Sequence, residues 1–137
     1  MTLSKNIRFV FLALALSYSA LIIFLSAQSN LQPPDIGFEL SDKLMHFIEY
    51  FIFSMLWCGA VIRSGSGRVP VRQTWRLFVG GALFAVSDEI HQLFVPGRQA
   101  DILDLVADLC GISVGFFVFF LFRKSGRNRV RTNSIIL

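Results

Sequence analysis

The chain has 137 residues, of which 54% are hydrophobic and 16% charged, with a mean hydropathy of +0.61. Soluble domains carry roughly 25% charge; this composition excludes a disordered chain, a collagen-like chain and a disulfide scaffold, disfavours an ordinary soluble enzyme, and points to an integral membrane protein. The formal net charge is +4, from 13 Lys and Arg against 9 Asp and Glu, but the basic residues lie between or outside the apolar runs with no nucleic-acid motif among them, so nucleic acid is not an expected partner and the lipid bilayer is.

Taken in chain order, the pattern predicts an all-α fold, a transmembrane four-helix bundle in one domain over residues 1–137. The first span is 9–27, an uncharged run long enough for the ~30 Å hydrocarbon core. Lys5 and Arg8 precede it as in a signal peptide, but the run exceeds the usual h-region and no small-x-small cleavage site follows, so it is read as a retained helix. Gln28 to Ser41 carries Pro33, Pro34 and Gly37 and reads as a loop. The second span is 43–62. Arg63 to Thr74, with Ser-Gly-Ser-Gly and Pro70, is a further loop. The third span is 77–95, Pro96-Gly97 is a tight turn, and the fourth span is 102–122. A basic tail, 123–137, is expected to be frayed. No internal repeat is present. Cys58 and Cys110 both lie in apolar runs and are expected to be buried, unpaired thiols.

Eleven basic residues belong to one side of this arrangement: Lys5, Arg8, Arg63, Arg68, Arg72, Arg76, Arg123, Lys124, Arg127, Arg129 and Arg131. Only Lys43 and Arg98 belong to the other. The positive-inside rule then places both termini in the cytoplasm, with Trp57 and Trp75 near the inner interface.

The polar residues inside the spans form the candidate site. At about 100° per residue, Asp42, His46, Glu49 and Tyr50 share one arc of the second span. Asp88, His91 and Gln92 share an arc of the third, with Glu89 pointing away from His91 toward a different neighbour. Asp101, Asp104 and Asp108 share an arc of the fourth. All three arcs lie at the outer helix ends. Gly81 and Ala85, and Gly111 and Gly115, continue the stripes of the third and fourth spans inward; small residues at such spacing let helices approach closely, and the expectation is that these two spans pack through them. A charge costs about 2.5–3.5 kcal/mol at a span's centre; nearer the outer end the penalty is reduced but real, and such residues mark function by default. Lys43 and Arg98 are the cations available to contact a phosphate. Asp88 or Glu89 with His46 or His91 could supply acid–base chemistry, which leaves the choice between enzyme and binding protein open. No cofactor is expected; His46-x-x-Glu49 and Asp88-x-x-His91 offer ligand spacings for Zn²⁺, Mn²⁺ or Fe²⁺, though such spacings are common. A network that only locks the bundle, or a proton relay, is the competing reading.

Three motifs resemble those of the VanZ-like family. Asp42-Lys43-x-x-His46-x-x-x-Tyr50 resembles its first. Ser87-Asp88-Glu89-Ile90-His91-Gln92-x-Phe94-Val95-Pro96-Gly97-Arg98 resembles its second, and Asp101-x-x-Asp104-x-x-x-Asp108-x-x-Gly111-x-x-x-Gly115 its third. Together they run from Asp42 to Gly115 in the family's order. The matching positions are Asp42, Lys43, His46, Tyr50, Asp88, Glu89, Gln92, Arg98 and Asp104; Asp108 departs from the pattern, which often has Asn there. The resemblance implies a small multi-pass protein of the bacterial inner membrane, acting at the cell envelope and associated with glycopeptide (teicoplanin) resistance, with no reaction attached. The expectation drawn from it is an outer-facing site for a polar envelope ligand, such as a lipid-linked phosphate or sugar, with a membrane-embedded hydrolase or transferase as the alternative.

Overall fold

The structure is a computed structural model that describes residues 5–29, 41–62, 69–98 and 100–133; the side chains of Lys5 and of residues 125–133 are not described. The proline-bearing segment between the first two spans and the glycine-serine segment after the second fall mostly outside these residues.

Four helices make up the ordered elements: α1 (Lys5–Ser26), α2 (Ser41–Val61), α3 (Val71–Gln92) and α4 (Ile102–Asn133). No strand is present among the described residues. Three of these helices, over Asn6–Ser26, Ser41–Val61 and Ile102–Lys124, are long and apolar enough to cross a membrane. α3 has the length but less apolar character, because Arg72, Gln73 and Arg76 open it and Asp88, Glu89, His91 and Gln92 close it. Large apolar side chains cover the outside of the bundle, among them Phe9 and Phe24 on α1, Leu83 on α3 and Phe117 on α4. A helical surface of this kind suits a lipid bilayer, where the hydrogen bonds of each helix satisfy its own backbone.

The helix ends follow local chemistry. α3 begins at Val71, six residues before the expected span, because Pro70 (φ −60°, ψ 132°) stands just ahead of the first turn and its carbonyl accepts from Gln73 and Thr74. It stops at Gln92, short of Val95, because Pro96 disfavours helical geometry in the residue before it. A turn follows in which Arg98 N–H donates to the Val95 carbonyl, and Gly97 takes φ +83°, a conformation in which a side chain would be strained. α4 continues to Asn133, so the first part of the basic tail is helical and not frayed; its Arg and Lys residues are good helix formers and no proline interrupts them.

The arrangement is up-down-up-down. At one end Arg8 of α1 donates to the Ala60 carbonyl of α2, and Gln73 of α3 to Val61. At the other end Arg98, after α3, donates to the carbonyls of Leu25 and Gln28 that close α1. The most intimate pair is α2 with α4, which corrects the expectation for the small-residue stripe. A Cβ on Gly111 would strike the Phe47 carbonyl oxygen and lie 3.0 Å from Phe51 N; one on Gly115 would strike Ser54 Oγ and lie 2.9 Å from Phe51 O. Both glycines therefore seat α4 on the backbone of α2. Gly81 does face α4, at Ile112, but also Phe53 of α2. Tyr50, Phe53, Cys58, Ala85, Ile112 and Phe116 fill the middle of the bundle. Cys58 is buried as expected, whereas Cys110 is exposed on the outer face of α4; both are free.

Candidate functional site

The polar side chains converge at one end of the bundle, where α2 and α4 begin and α1 and α3 finish. Asp101 opens α4 as its N-cap: its Oδ1 accepts from Leu103 N–H at 2.9 Å, and its carbonyl accepts from Asp104 and Leu105. That cap starts the helix so that Asp104 and Asp108, four residues apart, face α2 together. From α2, Lys43 meets Asp104 and His46 meets Asp108 at matching helical spacing, with Tyr50 one turn further in.

Two layers result. In the outer layer the Lys43 ammonium sits among three carboxylates: 2.6 Å from Asp101 Oδ2, 2.7 Å from Asp104 Oδ1 and 3.5 Å from Asp42 Oδ2. The Asp104 contact is a close ion pair, which gives that buried oxygen its counter-charge. Asp101 lies outside the spans, and its hydrogen bond from Lys43 holds its carboxyl below the ordinary aspartate value. In the inner layer His46 Nδ1 and Asp108 Oδ1 are 3.0 Å apart. Tyr50 donates to Asp88 Oδ2 at 3.5 Å, with the buried Ser26 hydroxyl of α1 bearing on the same carboxylate. Glu89 Oε2 accepts from the Asp101 backbone N–H at 3.2 Å.

Most of this layer is enclosed by protein. Asp108 is 0% exposed, Gln92 3%, Asp88 4%, His46 6% and Glu89 7%. Asp88 Oδ1, Glu89 Oε1 and Asp108 Oδ2 are buried and have no hydrogen-bond partner among the described residues. Two groups of side chains have donor atoms within 4.8 Å of one another, the spacing needed to share an ion: Asp42, His46 and Asp104, and His46, Glu89 and Asp108.

Of the residues expected at the site, Asp42, Lys43, His46, Glu49, Tyr50, Asp88, Glu89, Gln92, Asp101, Asp104 and Asp108 stand at this end of the bundle. Two placements differ from the sequence reading. His91 is exposed on the outer side of α3, and Glu89 takes the inward position. Gly81, Ala85, Asp88, Glu89 and Gln92 are the buried residues of α3, a face centred near Gln92, and at about 100° per residue His91 falls well off it. Centring the face on Asp88 instead is what drew His91 into the arc. Arg98 is also diverted: its Nε donates to Gln28 O at 3.3 Å and its terminal nitrogen to Leu25 O at 3.4 Å, so the guanidinium caps α1. Ser26 is a contributor the sequence did not single out; a lone serine at the end of an apolar run carries no signal.

A family model described as VanZ/LLP1 matches residues 4–123. An uncharacterized protein of Schizosaccharomyces pombe, C11E3.10, is 23% identical over 133 residues, which cover 96% of this chain and 78% of that protein. No solved structure matches the chain.

Proposed function

The chain belongs to the VanZ-like family, and from that premise we propose that the polar end of its bundle binds the head group of an envelope lipid bearing a sugar or a phosphate. The observation that supports this is the unpartnered acceptors: Asp88, Glu89 and Asp108 each keep a buried oxygen without a donor among the described residues. Buried polar groups are normally paired, and each orphan costs about 1–3 kcal/mol. Sugar hydroxyls or amines would supply the missing donors directly. A phosphate would need counter-charge, since Lys43 is surrounded by carboxylates and Arg98 is spent on α1.

In this reading the site faces the outside of a bacterial inner membrane, as the asymmetry of basic residues supports, and the resistance association of the family belongs to the same proposal. The similarity to the Schizosaccharomyces pombe protein covers 96% of this chain, so the bacterial envelope is part of the proposal and not a property of the fold. Native mass spectrometry of the full chain, released from mild detergent after exposure to a polyprenyl phosphate or a glucosyl diacylglycerol, tests it. The expected result is one adduct per chain, lost in Asp88→Asn and kept in Arg98→Ala. Retention of neither probe by the folded wild type, or equal retention by folded Asp88→Asn, overturns it.

A further inference from the structure

The inner layer holds a short list of atoms that a hydrogen-bonded network does not account for. His46 Nδ1 and Asp108 Oδ1 satisfy each other at 3.0 Å, yet Asp108 Oδ2 stays unpartnered at 0% exposure. Glu89 is anchored through Oε2 by the Asp101 backbone N–H, and its Oε1 stays unpartnered at 7% exposure. These side chains come from three different helices, α2, α3 and α4, and present one donor atom each within 4.8 Å of the others. Two ligands each about 2.1 Å from one ion at a right angle lie about 3.0 Å apart, so the His46–Asp108 separation serves cis ligands as well as it serves a hydrogen bond.

The alternative group, Asp42, His46 and Asp104, is less suited. The Lys43 ammonium already stands 2.7 Å from Asp104 Oδ1 and 3.5 Å from Asp42 Oδ2. A second cation there would face a like charge at close range. No ammonium or guanidinium contacts Glu89 or Asp108 among the described hydrogen bonds and ion pairs.

We propose that His46, Glu89 and Asp108 form a binding site for a divalent first-row transition ion, of the Mn²⁺, Fe²⁺ or Zn²⁺ class. One imidazole and two carboxylates suit these ions better than Ca²⁺ or Mg²⁺, which favour all-oxygen shells. The supporting groups are in place: Asp101 N–H orients the Glu89 carboxylate, and such outer partners fix ligand geometry. Three protein ligands leave coordination positions open. This deepens the head-group reading and rests on it for its purpose: the ion supplies the counter-charge that a lipid phosphate lacks at a site whose lysine and arginine are otherwise engaged.

The test uses Mn²⁺ and Zn²⁺ alone, without lipid probes, on the full chain in nanodiscs after chelator treatment. Equilibrium dialysis with elemental analysis gives stoichiometry, and electron paramagnetic resonance reads the Mn²⁺ ligands. The expected result is one ion per chain, nitrogen hyperfine coupling from His46, at least tenfold weaker binding in Glu89→Gln and in Asp108→Asn, and unchanged binding in Ser87→Ala, whose hydroxyl is exposed and bonds the Phe84 carbonyl. Neither ion bound by the folded wild type, bound Mn²⁺ without nitrogen coupling, or undiminished binding in folded Glu89→Gln overturns the site. Should the variants fail to fold, the nitrogen coupling in the wild type decides. A wild type that binds neither ion yet retains a lipid probe removes the ion alone; one that binds the ion yet retains neither probe removes the head-group reading alone.

Discussion

At the end of the bundle where α1 begins, Arg8 donates through two nitrogens to the Ala60 carbonyl of α2 at 3.4 Å, and Gln73 donates to the Val61 carbonyl at 3.1 Å. At the opposite end Arg98 closes α1 in the same manner. Both ends therefore fasten a helix C-terminus with an arginine, where cations complement the dipole. They part company in what remains. Near the first end, Phe78, Phe116, Phe119 and Phe120 pack against one another edge-on or tilted, and no buried side-chain polar atom is left unpaired there among the described residues. At the second end all four buried orphan atoms of the described residues collect: Asp104 Oδ1 beside the Lys43 ammonium, Asp108 Oδ2 on the carboxylate that His46 faces, and one oxygen each of Asp88 and Glu89. A network selected to hold helices together would resemble the first end, because an unpaired buried acceptor subtracts from stability. The excess at the second end is better explained by something the site must bind.

The largest effect expected separates these explanations. Asp108→Ala removes one partner of a buried pair and leaves His46 facing a cavity, which costs about 3–5 kcal/mol when an ion pair is broken in this manner. Replacing both, as His46→Met with Asp108→Leu, deletes the polar requirement along with its partner, and such swaps are often neutral or stabilising by about 1–4 kcal/mol. Thermal unfolding in detergent, followed by circular dichroism, should therefore find the single variant far weaker than the wild type and the double variant close to it or above. A double variant that falls as far as the single one would make the second end a lock like the first.

The difference between the ends is legible in the sequence, because lipid penalises charge and the nine acidic residues all fall in the outer halves of the spans or in the segments beyond them. The helices were legible for the same reason: a membrane sets their length. Two things were not. The Gly111 and Gly115 spacing announces a close approach but does not name the partner, and the partner is α2. The inward face of α3 is centred about 40° from the Asp88-centred arc, a shift that exchanges His91 for Glu89, since with polar residues at 88, 89, 91 and 92 the pattern alone permits either centre. What settles the centre is the buried small pair Gly81 and Ala85.

A sharper version of the comparison concerns glycine. Gly111→Ala drives a methyl into the Phe47 carbonyl and Phe51 backbone, which cannot yield as a flexible side chain would. The expected loss is about 1–3 kcal/mol, the usual cost of overpacking. Gly80, one residue from the inward Gly81, has nothing within 4 Å of an added Cβ, so Gly80→Ala should gain up to about 1 kcal/mol from helix propensity. Unfolding of the two variants side by side checks this. Equal effects would mean that α4 does not seat on α2 through its glycines.

The smallest effect lies at the solvent edge of the polar end, where Asp101 joins the cap of α4 to the Lys43 cage. Its carboxyl is held below the ordinary aspartate value, first by the Lys43 hydrogen bond and then by the Leu103 N–H. A depressed folded value stabilises the fold above the unfolded pKa, near 3.9, and that contribution is lost as the pH falls through the folded value. Lys43→Met removes the larger cause and leaves the cap, so the share of acid sensitivity that belongs to Asp101 should shrink. Stability measured from pH 5 downward in both proteins, each with and without Asp101→Asn, isolates that share. In the wild type the Asp101→Asn substitution should flatten the acid limb visibly; in Lys43→Met it should flatten it less. If the two differences are equal, Asp101 owes its low value to the helix cap alone, and Lys43 answers chiefly to Asp104 and Asp42 in the same layer.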